Sequence, residues 1–270
     1  MTLAKDANSK RSDDSDITNS TIFPRTMTTD KDSKSVEEFM IKETEKATLL
    51  WWRNADGYDV NNARFLKFKD DEAFSYSMRG LAGCTGMVIV SKKGVYLAHY
   101  WESISFSQNT IDEDSDQTRY TTQDRAFHYT IIHALRNGIN RQGIVEQDSL
   151  KAHAGEIDDD SIQGYLMIPR TGYAVEGIGP QDPYRTYWEK LKKEVGTILP
   201  RLNPDTNPNR WHEYKYRPVE KEETTEDFDP LEKTARGRLL FKYDPDHHGR
   251  KKTFLMMETE LQQDASTEWD

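Results

Sequence analysis

Four short runs of β-branched and aromatic residues follow one another in the first half of the chain, and they constrain the fold more than any other feature. The runs are RFLKF (64–68), AFSYSM (73–78), MVIV (87–90) and VYLAHYW (95–101). Clusters of Gly, Lys and Asp separate them, and such clusters are typical of turns. Three later segments predict further strands: IQGYLMIPR (162–170), WHEYKYRPV (211–219) and a hairpin pattern at 237–261.

Helical patterns flank these runs. Ser35 followed by Glu38 forms a capping box for a helix that we expect to end at NADG (54–57). A second helix is expected in TTQDRAFHYTIIHALRNG (121–138), and a third begins with Asp182 as N-cap. The order is one helix, then strands, then helices interleaved with strands. It predicts an α+β fold in which helices flank a central mixed or mainly antiparallel sheet or sandwich.

Polar composition sets the expected domain limits. Residues 1–34 are rich in Ser, Thr, Asp and Lys with few large apolar side chains, and we predict a disordered tail there. Residues 35–270 are predicted to form a single α+β domain. Within it, the acidic stretch 220–233 is expected to be solvated and mobile. The mean hydropathy of −0.90 agrees with polar segments outside the core.

The charge balance and the single cysteine limit the classes of partner and the cellular compartment that we expect. Lys and Arg number 37 against 47 Asp and Glu, giving a formal net charge of −10, and no basic cluster suits a nucleic-acid backbone. No apolar run reaches the ~20 residues that span a bilayer, and the N-terminus lacks the apolar core of a secretory signal. One cysteine cannot form an intramolecular disulfide. We therefore expect a cytoplasmic protein with no nucleic-acid partner and no membrane span.

The stretch LAGCTGMVIVSKKGVYLAHYWE (81–102) contains the only cysteine, Cys84, and His99 fifteen residues later. If its two apolar runs form an antiparallel hairpin around a loop at 91–94, Gly86 faces His99. Because side chains alternate along each strand, Cys84 and His99 then project to one face as diagonal neighbours. A shift of the pairing by two residues would oppose them directly. In either register the thiol and the imidazole can come within hydrogen-bonding reach.

A thiol beside an imidazole suits nucleophilic acyl chemistry. The thiolate is the nucleophile, and an adjacent imidazole lowers the thiol pKa and can later protonate a leaving amine. The small residues of AGCTG let a carbonyl group approach, and the backbone N–H groups of Cys84 and Thr85 are candidate oxyanion donors. The alternative is a structural pair, since a lone cysteine often behaves as a small buried hydrophobe and strand histidines are commonly structural.

Leu81, Gly83 and Cys84 form a Leu-x-Gly-Cys motif, followed by an apolar strand, a turn and a strand that carries His99. This segment resembles the catalytic core of the glutamine deamidase toxins, the cytotoxic necrotizing factor family and Burkholderia lethal factor, whose fold is shared by the chemotaxis deamidase CheD. It is also similar to uncharacterised fungal proteins with the stretch GCT…GVY.AH.WE. Where some members carry a threonine six residues before the cysteine, this chain has Met78.

The resemblance implies a Cys–His glutamine deamidase that acts on a protein substrate. In it Cys84 is the nucleophile, His99 is base and acid, and Gly83 is a motif residue. An amine instead of water at the thioester would make the same site a transglutaminase. A non-catalytic interaction or immunity-type protein on the same fold is the alternative of another class, and the sequence leaves the target and the oligomeric state open.

Other signals predict structure rather than chemistry. DPDHHGR (244–250) matches no metal-ligand spacing and is predicted to be a hairpin turn. His128 and His133 differ by five positions, do not form an i, i+4 pair, and are expected at the core or its boundary. TGYAVEGIGP (171–180) lacks the context of a dinucleotide site and is expected to be a loop. We therefore expect neither a cofactor nor a metal.

Overall fold

The computed structural model describes Met27 and residues 34–50, 59–106, 122–141, 143–170, 182 and 184–270. The helices are α1 (Val36–Lys46), α2 (Glu102–Ser105), α3 (Gln123–Phe127), α4 (His133–Asn137), α5 (Ala154–Ile157), α6 (Arg185–Ile198) and α7 (Pro230–Lys233), and a π-helical turn, His128–Ile132, joins α3 to α4. The strands are β1 (Thr48–Leu49), β2 (Asn62–Lys67), β3 (Phe74–Met78), β4 (Thr85–Val90), β5 (Gly94–Tyr100), β6 (Ile139–Arg141), β7 (Ile144–Gln147), β8 (Gln163–Pro169), β9 (Trp211–Tyr216), β10 (Leu239–His247), β11 (Arg250–Met257), β12 (Glu260–Leu261) and β13 (Glu268–Trp269).

Two β-sheets pack against each other at the centre of the molecule. One has seven strands in the order β6-β7-β2-β5-β4-β8-β9, and the other has six, β1-β3-β10-β11-β12 with β13 also paired to β11. The pairs β1–β3, β2–β7 and β8–β9 are parallel, and the other pairs are antiparallel. Apolar residues of both sheets fill the space between them, among them Val88, Leu97, Met167, Leu239, Phe241 and Leu255. The predicted α+β class with mixed sheets is confirmed.

Helices cover the outer face of each sheet. On the seven-stranded sheet, Trp188 and Leu191 of α6 pack in one cluster with Met87 of β4. On the six-stranded sheet, Met40 of α1 packs with Leu240 of β10. The described part of the chain therefore has four layers, in the order helix, sheet, sheet, helix. Each helix in it is too short or too polar to cross a bilayer.

The first helix is shorter than the sequence predicts. α1 begins after Ser35, whose hydroxyl accepts a hydrogen bond from the backbone N–H of Glu38 at 3.1 Å, so the predicted start is confirmed. The helix ends at Lys46, and residues 48–49 form β1, parallel to β3. Tertiary pairing with β3 thus outweighs the helical periodicity of the sequence. The expected stop at 54–57 lies outside the described residues.

The second predicted helix contains the π-helical turn and ends at Gly138, as expected. The φ angle of Gly138 is 71°, a left-handed value that favours glycine after a helix. Ile131 and Leu135 face the core and are fully buried. His128 and His133 are exposed, which corrects their expected place at the core or its boundary. The apolar residues of this segment take its buried positions and leave the imidazoles in solvent.

The third predicted helix begins later than expected. The N-cap of α6 is Tyr184 rather than Asp182. The Asp182 carboxylate instead accepts hydrogen bonds from the side chains of Arg185 and Lys215, the latter at 2.8 Å. Asp182 is therefore an ion-pair partner rather than a cap. The loop expected at 171–180 lies outside the described residues.

Three further predictions concern the tail, the acidic stretch and the DPDHHGR turn. Of residues 1–34 the structure describes Met27, which is buried in the cluster under α1, and Lys34; the rest of the predicted tail lies outside the described residues.

The acidic stretch 220–233 contains α7 and a 3-10 turn, and its Glu223 carboxylate binds Arg236 at 2.9 Å. The predicted hairpin turn is confirmed between β10 and β11.

Candidate active site

The β4–β5 hairpin has the register that the sequence predicts. Gly86 is paired with His99, and a hydrogen bond of 3.0 Å from the Ser91 N–H to the Gly94 carbonyl closes the loop between the strands. Loop length fixes which side chains share a face, because a slip of one residue moves every side chain to the other side. Cys84, two residues before Gly86, therefore lies on the face of His99.

His99 belongs to a row of directly opposed residues that crosses four strands. Asn62 on β2 is paired with His99 on β5, and Gly86 on β4 is paired with both His99 and Met167 on β8. Directly opposed residues share a face, so all four positions face the space between the sheets. Cys84 belongs to the apolar cluster in that space. The structure thus brings the two predicted site residues to one side of one sheet.

Cys84 is the last residue of the irregular segment 79–84, which precedes β4. Cys84 is 5 % exposed, whereas Ala82 is at the surface. The Leu81 N–H donates to the Gly237 carbonyl at 3.1 Å, and the Tyr216 hydroxyl donates to the Cys84 carbonyl at 2.7 Å. These two hydrogen bonds anchor the segment to β9 and to the residues that precede β10.

Burial controls the protonation of the Cys84 thiol. It raises the pKa of Cys84 from 9.0 to about 12, because the charged thiolate loses its solvation. The backbone N–H groups of Glu102 and Ala82 lower this pKa, and the carboxylates of Glu102 and Asp59 raise it. In this conformation Cys84 is a neutral thiol at pH 7.

Burial acts on the imidazole in the opposite direction. His99 is 2 % exposed, and the loss of solvation lowers its pKa from 6.5 to about 4. The Trp101 ring lies 5.7 Å from it, centroid to centroid. Both pKa shifts favour the neutral thiol and the neutral imidazole over a thiolate and an imidazolium. The structure therefore shows the pair in a closed, neutral state.

Glu102, the first residue of α2, is a site residue that the sequence did not predict. A Cβ atom built on Gly83 would overlap the carboxylate of Glu102, so only glycine permits this close approach. The Tyr184 hydroxyl donates a hydrogen bond to the other oxygen of the same carboxylate. Glu102 is the last residue of the stretch 81–102, which contains Cys84 and His99. Nothing in the sequence places Tyr184, 82 positions away, against it.

Thr85 and Leu81 both have structural contacts. The Thr85 hydroxyl accepts a hydrogen bond from Trp188 Nε1 at 3.0 Å, on the helix side of the sheet. Thr85 is paired with Tyr100 in the hairpin, and the use of its backbone N–H as an oxyanion donor stays a prediction. Leu81 is fully buried in the cluster between the sheets.

Met78 stands where some of the resembling proteins carry a threonine. It is 2 % exposed, and its Sδ would lie 3.4 Å from a Cβ built on Gly86. A thioether supplies neither a hydroxyl donor nor a carboxylate. Met78 therefore cannot act as a polar third residue for the pair.

Comparison of the chain with family models, with curated proteins and with solved structures finds no match. The resemblance to glutamine deamidases therefore stays a prediction. Within the described ranges, no group of three or more His, Cys, Asp or Glu side chains is arranged to hold a metal ion.

Proposed function

We propose that the protein is a cytoplasmic, thiol-dependent glutamine deamidase in which Cys84 is the nucleophile and His99 the base and acid. The observation that supports this proposal is the hairpin register from Thr85 to Val90, which, continued by one residue, would make Cys84 and His99 diagonal neighbours on one face. Gly83 and Gly86 flank the pair and add no side chains of their own. Cys84 is a free thiol, as a reducing compartment requires.

The proposed reaction has two stages. His99 takes the thiol proton as Cys84 sulfur attacks the carboxamide carbon, and backbone N–H groups at Cys84 and Thr85 stabilise the oxyanion. The C–N bond then breaks, and His99 returns the proton to the departing ammonia, which leaves a thioester. Water, deprotonated by His99, attacks the thioester carbon, and release of the thiol gives a glutamate side chain.

The closed form must open for this chemistry to occur. The segment 79–84 is irregular, and Gly80 within it has a φ angle of 75° with open space around it. Movement of this segment toward solvent would expose the thiol, lower the pKa of Cys84 and raise the pKa of His99. Both changes favour transfer of the proton to the imidazole. We propose that substrate binding stabilises the open form.

A second candidate function follows from the burial itself. A neutral, nearly inaccessible thiol and imidazole are also what a purely structural pair looks like. In that case the chain is a non-catalytic interaction or immunity-type protein, and Cys84 contributes only packing. The two candidates differ in whether Cys84 ever reacts with an amide.

The test is a search for deamidated glutamine. Proteins of a cell extract are incubated with the full chain and then analysed by peptide mass spectrometry. The proposal predicts glutamine residues that gain about 1 Da as –NH2 is replaced by –OH, as thioester hydrolysis requires. It predicts that Cys84→Ser and His99→Ala abolish the change. His133→Ala, which alters an exposed imidazole, is the matched control and should retain it.

Three outcomes would count against the proposal. Conversion that persists in Cys84→Ser would assign the activity to another group or to a contaminant. A primary amine added to the assay tests the transglutaminase alternative, because glutamine would then lose ammonia and gain the amine, a net gain of the amine mass minus that of ammonia instead of about 1 Da. Absence of both products, with wild type and His133→Ala alike, would favour the non-catalytic candidate.

A further inference from the structure

Asn62 lies beside His99 on the β2 side of β5, and Gly86 lies on the β4 side. The two residues are directly opposed in the β2–β5 pair, so their Cβ atoms are about 4.5–5.5 Å apart on one face. Asn62 is 5 % exposed, so its carboxamide is buried next to the imidazole. On the opposite side of His99 the paired residue is Gly86, which has no side chain. Asn62 is therefore the polar side chain that the sheet itself sets against His99.

The carboxamide of Asn62 is only half satisfied. Its Nδ2 donates to the Glu146 carbonyl at 3.5 Å, the limit of a hydrogen bond. Its Oδ1 is buried and accepts no hydrogen bond from any residue that the structure describes. A buried acceptor without a donor is rare in proteins, because it has lost water without replacing it, and such a group calls for an explanation.

Gln147 has a similar unsatisfied oxygen, for which a buried water molecule is a sufficient explanation. Gln147 also has a buried oxygen that accepts no hydrogen bond within the described ranges, but it lines a cavity of about 30 Å³, together with Asn61 and Thr130. That volume is enough for a water molecule, which would satisfy Gln147. Asn62 is not among the described residues that line this cavity. A water molecule in this cavity therefore does not explain the unsatisfied oxygen of Asn62.

We infer that Asn62 is the positioning residue of the pair, and that its Oδ1 accepts a hydrogen bond from an imidazole N–H of His99 when the site is active. The inference rests on the proposed function. An imidazole that takes the thiol proton becomes a cation with two N–H donors, and a fixed acceptor orients the ring and stabilises that form. In the closed state His99 is neutral, and within the described residues Asn62 Oδ1 accepts no hydrogen bond.

The test replaces Asn62 by a carboxylate and by an apolar group of similar size. The pKa of His99 is measured by NMR on the full chain labelled at histidine, in wild type, Asn62→Asp and Asn62→Leu. An acidic group beside the imidazole should raise the pKa of His99 by about one unit or more in Asn62→Asp, whereas Asn62→Leu should not raise it. Other titratable groups near the pair, namely Cys84, Asp59 and Glu102, are the same in all three proteins.

A matched control separates positioning from general loss of stability. Gln147→Leu removes a buried carboxamide that does not face His99, and it should leave the pKa of His99 unchanged. The inference is overturned if Asn62→Asp leaves that pKa at its wild-type value. Asn62→Asp decides this alone if Asn62→Leu fails to fold.

Turnover gives a second, independent readout. If the chain is a deamidase, Asn62→Leu should lower kcat about tenfold or more at nearly constant KM, and Asn62→Asp should restore most of it. A shifted His99 pKa without deamidation in wild type would support the contact between Asn62 and His99 and contradict the proposed function. An unshifted pKa of His99 in Asn62→Asp, with normal deamidation in wild type, would contradict the contact between Asn62 and His99 and support the proposed function.

Discussion

At the scale of single residues, the site depends on one close approach. The carboxylate of Glu102 lies where a side chain at position 83 would be, and Tyr184 holds it there by a hydrogen bond. The same carboxylate raises the pKa of Cys84. The absence of a side chain at Gly83 thus allows the Glu102 carboxylate to lie in this position near the thiol.

Gly83→Ala should therefore destabilise the protein. The new methyl group would displace the Glu102 carboxylate and break its hydrogen bond with Tyr184, so we expect unfolding free energy to fall by about 1–3 kcal/mol. Urea denaturation followed by fluorescence measures this change. Gly86→Ala is the control, since a Cβ there would make contacts of 3.4–3.6 Å, which are ordinary. Equal stability of the two variants would show that Glu102 moves without loss.

At the scale of elements, the tight β4–β5 hairpin determines where His99 points. The loop is predictable because its residues and length specify the turn, and through it the face of each side chain. The neighbours of the hairpin are not predictable in this way. Asn62 meets His99 because β2 pairs with β5, and Met78 meets Gly86 because the two sheets stack. Long-range pairing of this kind leaves no local signal.

The same hairpin offers a direct test of its packing. A Cβ on Gly94 would lie 2.7 Å from the Leu66 carbonyl oxygen of β2, and a strand backbone cannot move away cheaply. Gly94→Ala should lower the unfolding free energy by about 1–3 kcal/mol. Lys92→Ala in the exposed loop is the control and should change it by less than about 0.5 kcal/mol. If the two variants unfold at the same urea concentration, β2 does not pack against the loop as described.

At the scale of the whole molecule, two stacked sheets bury the candidate site inside a four-layer fold. The sequence predicted the α+β class, most strands and the start of the first helix. It missed the early end of α1, because pairing with β3 is a tertiary effect. It also missed the depth of the site, since burial of Cys84 and His99 depends on how the two sheets come together. Burial in turn links the site to the stability of the fold.

Folding stability should fall in mild acid because of His99. Its pKa is about 4 in the folded protein and 6.5 when solvated, so the unfolded chain binds a proton that the folded one does not between these values. This contribution is complete above pH 6.5 and is lost as the pH falls, by about 3 kcal/mol at pH 4. Chemical denaturation from pH 7 to 4 measures it.

His99→Gln is the matched variant for this prediction. It lacks the titrating group, so its stability should fall less between pH 6.5 and 4 than that of wild type. Identical pH profiles would show that His99 is not held neutral by burial. On the alkaline side the sign reverses for Cys84, whose pKa is raised from 9.0 to about 12, so stability should fall as the pH rises above 9.

The most direct test of a working Cys84–His99 pair is the pH dependence of alkylation. Cys84 is the only cysteine, so all iodoacetamide labelling reports on it. A pair that opens and transfers its proton should react at pH 6, and His99→Ala should lose this reactivity by about tenfold or more. Labelling that appears only near the pKa of an ordinary thiol, or that is the same with and without His99, would contradict the account.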